Sequence, residues 1–461
     1  MAYLITKEVR TMEAQVLYGR QLALSANEAA AVPAGTQILP AMQVDEHQII
    51  CQRCGSHLDR LRAQLPNQQY YCYQCLNLGR VSTLVKLYHM PEPNAFATVP
   101  VCTWQGTLTP QQADCAQSIK ANFMAHKRQL LWAVTGAGKT EMLFPGIAWA
   151  LAHQWRVAIA SPRVDVCLEL APRLQAAFAD VQIAVLYGRN PAPYQYTQLT
   201  ICTTHQLLRF RQAFDVLIID EVDAFPFAAN PRLAFAVNQA AKVEGAILYL
   251  TATPSQSLLS QVHRGELAIS YLPLRFHQHL LPAIKVKLQP NWARLLQQGK
   301  LPRDLIRQLQ QYQQQHQRFL LFVPRIQQLA PVFAVLQHYF PHMTGETVYS
   351  ADPERLTKVQ QMRNQQFQYL VTTTILERGV TFPGIDVIVL GADDEVFSTA
   401  ALVQIAGRVG RSSERPTGLV WFICHSHSRN IKRAQRQIRV INRKGRQLRA
   451  SMPTVSQHYH D

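Results

Sequence analysis

In the stretch LLWAVTGAGKTEMLF (130–144) a hydrophobic run passes through a small flexible turn into Lys139 and Thr140. Gly136, Ala137 and Gly138 let the backbone curl around phosphate groups, Lys139 reaches the β and γ phosphates, and Thr140 can hold magnesium. Such loops usually open with glycine; here that position is Ala133, so the strand–turn–helix context carries the reading. Pro145 falls early in the following helix, a place for a local kink. A second stretch, IIDEVDAF (218–225), ends a hydrophobic run in two acids. Asp220 can bind magnesium through water, and Glu221 can orient or deprotonate an attacking water. In QIAGRVGR (404–411), Arg408 and Arg411 lie three apart, on one face if helical, with Gln404 one turn earlier. Arginines so placed can reach a γ-phosphate across a cleft and stabilise the charge that develops in phosphoryl transfer. The joint chemistry is hydrolysis of ATP with Mg2+.

These residues need strands that end together. From about residue 106 short β-rich runs alternate with longer helical stretches, the pattern of parallel sheets covered on both faces. The clearest runs in the first half are 129–134, 214–220 and 246–253, and ligands of open α/β sheets gather at such carboxyl ends. After YLPLRFH (271–277), read as a linker, runs recur at 318–324, 369–374, 385–391 and 418–424. A two-lobed closure is what this spacing invites.

Nine cysteines in a chain with no apolar h-region at its start do not suggest a disulfide framework. Cys51 with Cys54 and Cys72 with Cys75 form two Cys-x-x-Cys pairs, seventeen residues apart, the spacing of a four-thiolate Zn2+ site. Four thiolates leave no open coordination position, so the expected role is structural. Arg53, Arg60, Arg62 and Arg80 with Tyr70, Tyr71 and Tyr73 surround the pairs. That mixture suits phosphates and stacked bases, or the tyrosines pack the small module.

At 461 residues and 48% hydrophobic composition the chain is long enough for two or three domains with full cores. Nowhere do eighteen apolar residues run together, so membrane spanning and secretion are not expected, and a cytoplasmic or peripheral location follows. The net charge of +17 draws polyanions and releases counterions on contact with nucleic acid. The segment 429–449 is rich in Arg and Lys and has no acid. Ile431, Ile438, Ile441 and Leu448 fall on one helical face there, which predicts a docked helix with a solvated basic side.

From about residue 106 to 425 these motifs resemble helicase superfamily 2. The stretches that carry the resemblance are TGAGKT, SPRVDV (161–166), CTTHQLLRF (202–210), DEVD, TATP (251–254), LLFVPRI (320–326), TTTILERGVTFP (372–383) and QIAGRVGR. Within that superfamily the chain is most similar to the ComFA family, the late-competence DNA-uptake ATPases of Gram-positive bacteria. The single four-cysteine module ahead of the motor, WQGTLTPQQ (104–112), YLPLRFH and the basic C-terminal segment support this.

The resemblance implies an α/β fold with two RecA-like P-loop domains of parallel sheet, preceded by a small four-cysteine zinc module. The expected division is an N-terminal region (1–50), the zinc module with its connector (51–105), an ATP-binding domain (106–272), and a second domain with the basic segment (273–461). It implies that Lys139, Thr140, Asp220 and Glu221 act on ATP and magnesium and that Gln404, Arg408 and Arg411 complete the site. Thr251 and Thr253 would couple hydrolysis to movement. Arg163, Thr204, Arg325 and Thr374 would contact a DNA strand, and Gln112 would read the base of ATP unless LTPQQ merely caps a helix after Thr109.

The implied partners are single-stranded DNA, the uptake channel and a ComF-type phosphoribosyltransferase-like protein at the inner face of the membrane, with self-assembly into a homo-oligomer left open. Two other readings compete. One is a primosomal, PriA-like helicase acting at stalled forks. The other is a zinc-dependent DNA-binding protein whose ATP site is a conformational switch.

Overall fold

The computed structural model describes residues 12–46, 48–96, 101–188, 193–378, 382–412 and 414–451. The start of the chain, where no h-region is read, and residues 379–381 of the 372–383 stretch lie outside the described residues. The chain divides into two compact units: residues 1–131 with 140–270, and residues 132–139 with 271–461.

In the first unit a seven-stranded sheet has the order Ile183–Leu186, Leu199–Thr203, Val157–Ser161, Phe214–Ile219, Ala241–Thr251, Arg128–Ala133, Ala268–Leu272. The first five strands pair in parallel. Val157–Ser161 and Leu199–Thr203 are buried at every position, because helices cover both faces and leave no polar side to alternate with. Ala241–Thr251 starts five residues before the run at 246–253, since Phe214 pairs with Ala241 while Val216 pairs with Ala246, and the intervening residues bulge. The helix Pro110–Met124 opens with a capping box between Thr109 and Gln112 and with Pro110 in its first turn.

The second unit holds a six-stranded sheet in the order Ile284–Leu288, Val420–Cys424, Asp386–Leu390, Phe319–Phe322, Tyr369–Thr372, Gly345–Val348, parallel throughout. Each of the four runs expected in this half of the chain is present within two residues of its ends. Tyr271 and Leu272, read as linker, instead finish the edge strand Ala268–Leu272. The basic segment is the helix Arg429–Ser451, with Ile431, Ile438 and Ile441 buried. Both sheets are the RecA-like arrangement expected.

Ahead of the motor, Lys86–His89 lies between Gln21–Leu24 and Gln37–Pro40 in an antiparallel sheet, and Met42–Val44 pairs with Ile49–Cys51. The cysteines share one core cluster with Phe210, Phe214 and Ala236 of the first motor sheet and its helix. Buried Arg156 fastens the two: its Nη1 donates to Glu92 Oε2 at 2.5 Å and to Tyr18 O at 3.1 Å, and its Nε donates to Thr197 O at 3.1 Å.

Candidate active site and metal centre

Four cysteine sulfurs converge. Cys51 Sγ lies 3.9 Å from Cys75 Sγ, and Cys54 Sγ lies 3.7 Å from Cys72 Sγ. All four ligand atoms lie within 4.8 Å of one another, and all four residues are buried. A tetrahedron with Zn–S bonds of about 2.3 Å has edges of about 3.8 Å, and the two sulfur pairs match that edge, so the set suits zinc. Arg53 is not at the surface among the bases, as its type suggested. It is buried, and its Nη2 donates to Gly79 O at 2.5 Å and Cys75 O at 3.2 Å, tying the second knuckle down. Tyr70 is buried in the module core with Arg60 Nη1 on its hydroxyl at 3.2 Å, whereas Arg62 sits 4.4 Å over the Tyr73 ring.

The phosphate loop follows strand Arg128–Ala133. Gly136 at φ +83° and Gly138 at φ +70° adopt the left-handed backbone that the curl needs. Ala137 N donates to Val134 O at 3.3 Å, which tightens the turn. A 3₁₀ turn, Glu141–Leu143, precedes the helix Phe144–Ala152. Pro145 therefore occupies the first turn of that helix, where its missing N–H is not needed, and starts the helix instead of kinking it.

Strand Phe214–Ile219 delivers Asp220 and Glu221. Asp220 Oδ1 accepts from Glu221 N at 2.9 Å, and Glu221 holds φ +55°, in the left-handed region that residues with a side chain enter less readily. Thr140 and Asp220 carry oxygen donors of the kind that magnesium prefers. One turn on, Asp223, which the sequence reading passed over, accepts from Thr251 Oγ1 at 2.7 Å and from the hydroxyl of Thr253. Thr251 Oγ1 in turn accepts from Thr253 N at 2.9 Å. The signal for Asp223 was its place as the last acid of DEVD.

Gln112 accepts from Thr109 N at 2.9 Å, so it does serve as a cap. Its neighbour Gln111 is buried, and neither polar atom of its carboxamide has a hydrogen-bond partner among the described residues. Arg163 precedes the helix Val164–Ala177 and pairs loosely with Asp165 at 3.9 Å. Thr204 opens the turn Thr204–Arg209 and is fully buried, so its hydroxyl is not presented at the surface.

In the second unit Arg325 is 64% exposed and pairs with Asp394 at 3.4 Å, and Thr374 opens the turn Thr374–Glu377 half-buried. Gln404 lies in the helix Thr399–Ala406, but Arg408 and Arg411 lie beyond it. The helix stops at Gly407, and Gly410 at φ +72° has no room for a Cβ against Pro416 O and the Arg275 guanidinium. Arg408 is buried and its Nε donates to Glu377 O at 3.1 Å, which ties the 404–411 stretch to 372–383; Arg411 Nε donates to Gly407 O at 3.1 Å.

The turn is also held from the linker. Arg275, fully buried, donates from Nη1 to Val409 O at 2.5 Å and to Gly410 O, and from Nη2 to Gly407 O at 3.3 Å. Burial, with Arg411 nearby, lowers its pKa to about 9.

Residues 9–89 match the family of the competence protein ComFA N-terminal domain, 105–256 the type III restriction enzyme res subunit, and 301–413 the helicase conserved C-terminal domain. The chain is 40% identical over 405 residues to competence protein ComFA of Streptococcus pneumoniae, covering 88% of this chain and 93% of that one. It is 39% identical over 406 residues to competence protein ComFA of Bacillus subtilis, covering 87% of each. Among solved structures, the DEAD-box helicase Mss116 bound to single-stranded RNA aligns with TM-score 0.52 at 16% identity, over 69% of this chain and 70% of that one. The Mycobacterium smegmatis helicase Lhr bound to single-stranded DNA aligns with TM-score 0.50 at 17% identity, over 71% and 48%. These two likenesses establish the fold. The competence relatives, matching nearly end to end, establish the rest: the chain belongs to the ComFA family and is a helicase-type, DNA-dependent ATPase of superfamily 2.

Proposed function

We propose that this chain is an ATP-driven translocase that draws single-stranded DNA into the cell during competence. The observation that carries the reading is the hydrogen-bonded set of Asp223, Thr251 and Thr253, which ties the DEVD stretch to the end of strand Ala241–Thr251. Family membership and the charge of +17 support the choice of DNA.

Lys139 and the loop residues Gly136, Ala137 and Gly138 hold the β and γ phosphates, and Gln112 reads the base. Thr140 and Asp220 hold magnesium, which when bound neutralises charge building on the phosphate oxygens. Glu221 takes a proton from the attacking water as its oxygen bonds to the γ phosphorus; the bond to the bridging oxygen breaks and ADP leaves. Arg411, with Arg408 and Gln404 behind it, stabilises that charge from the second domain. Arg163, Arg325 and Thr374 grip the strand's phosphates, and Thr204 supports that surface from beneath. The four-thiolate site holds Zn2+ and fixes the N-terminal module. In the cell the chain works at the inner face of the membrane beside the uptake channel and a ComF-type partner.

ATP turnover titrated with single-stranded DNA, duplex DNA and RNA tests this reading. Single strands should stimulate most, and Lys139→Ala should abolish turnover while zinc content stays unchanged. Normal turnover by Lys139→Ala would sink the assignment. Preference for branched DNA would restore the primosomal reading, and tight binding without stimulation would restore the switch.

A further inference from the structure

We propose that the outward face of the C-terminal helix Arg429–Ser451 is a second binding surface for single-stranded DNA, apart from the motor motifs. The proposal rests on the function proposed for the motor, in which a single strand is the substrate.

The helix cannot roll. Ile431, Ala434, Ile438 and Ile441 are buried, and Asn442 hydrogen-bonds both backbone groups of Leu281, at 3.0 Å to its N–H and 2.9 Å to its carbonyl. Gly445 packs so tightly on Leu280 and Leu274 that a Cβ there would lie 2.7 Å from Leu280. With that side fixed, Lys432, Arg433, Arg436, Arg439, Arg443 and Arg446 all face solvent, the adjacent pair 432 and 433 followed by the others at three- and four-residue intervals. The row is about 21 Å long at 1.5 Å per residue.

No acid lies on the helix, and none of these six cations forms an ion pair among the described residues. Like charges at this spacing destabilise a helix, and no carboxylate among the described residues pairs with them. The natural complement is an external chain of evenly spaced anions. A bilayer is the weaker candidate: no aromatic or large aliphatic side chain is exposed on the helix, and its apolar side is already docked. Five of the six are arginine, whose planar fork matches a phosphate in two bonds.

The test uses the full chain carrying Arg436→Gln, Arg439→Gln, Arg443→Gln and Arg446→Gln. A charge-matched control carries Lys127→Gln, Lys285→Gln, Lys300→Gln and Arg303→Gln, four exposed cations on other elements. Binding of a fluorescent oligothymidylate is followed against salt without ATP. The helix variant should bind roughly tenfold or more weakly at about 0.1 M salt, with its log–log salt slope shallower by about 0.7 for each phosphate that the helix no longer neutralises, up to about 3. Its turnover at saturating DNA should equal wild type, with more DNA needed to reach it, and the control should shift much less.

Equal losses in the two variants would reduce the effect to net charge and overturn the proposal, as would an unchanged slope. Loss of binding to phosphatidylglycerol vesicles with DNA binding intact would assign the face to lipid and also overturn it. If single strands fail to stimulate wild-type turnover, the translocase reading falls, while the ATP-free slope still judges the helix.

Discussion

The carboxylate of Asp223 accepts the hydroxyl of Thr251 at 2.7 Å and that of Thr253 as well, so one acid carries both threonines of TATP. Neither threonine can turn without breaking a charge-assisted bond, and Asp223 cannot shift with Asp220 and Glu221 without dragging the threonine strand along. Asp223→Asn keeps the shape but replaces one acceptor by a donor, at a cost of about 1.5–3 kcal/mol. ATP turnover should stay within about threefold of wild type, while strand movement, followed by displacement of streptavidin from a biotinylated oligonucleotide, should fall tenfold or more. Equal loss of both would show that Asp223 acts in hydrolysis itself.

Arg275 makes a second prediction. Its guanidinium satisfies carbonyls of Gly407, Val409 and Gly410, the turn from which Arg408 and Arg411 project. Arg275→Ala leaves the buried Val409 carbonyl without a donor among the described residues, and Gly407 and Gly410 with only Arg411 and His277, at a cost of about 1–3 kcal/mol for the orphaned carbonyl. Turnover should drop at least tenfold with zinc content unchanged, and Arg275→Lys, a point donor in place of a fork, should recover only part. An Arg275→Ala enzyme with normal kcat, judged by a coupled phosphate-release assay, would reduce Arg275 to packing.

The elements were legible where the physics is local. Buried parallel strands read as apolar runs, and the glycines at 136 and 138 read as a turn because their conformation requires glycine. The cysteine spacing read as a tetrahedron for the same reason. What sequence did not show was partnership at a distance. Arg275 and Arg53 are each bonded to backbone carbonyls far along the chain, and an arginine in a sequence carries no mark of burial. Thr204 was expected at a surface, yet tertiary packing covers it. Arg408 and Arg411 would share one face if helical, but the helix ends at Ala406 and Gly410 turns the chain before Arg411.

Metal removal should reach beyond the small module. Cys51, Cys54, Cys72 and Cys75 belong to the same core cluster as Phe210, Phe214 and Ala236. Structural zinc contributes folding free energy, so Cys72→Ser or prolonged chelation should remove one zinc per chain and lower the melting temperature of the first unit as well. Calorimetry on metal-loaded and chelated protein, with zinc measured in parallel, decides the point. A motor transition that stays put while zinc leaves would show the module to be thermally independent.

Acid should also weaken the first unit through His89. Its ring is buried, and Nδ1 lies 3.0 Å from Arg20 O on the neighbouring strand. Burial, reinforced by the charge of Arg211, lowers its pKa below the usual histidine value, although the Arg20 carbonyl and Glu92 oppose the shift. The unfolded chain then binds more protons than the folded one just below pH 6.5, so stability is full above that pH and falls as pH drops through the window down to the folded value. Half-buried His205 in the same unit shifts the same way, so His89 accounts for part of the slope. Melting temperatures between about pH 5 and 8 should therefore decline less steeply for His89→Gln than for wild type. Parallel curves would mean that His89 is not charged by acid before the unit unfolds.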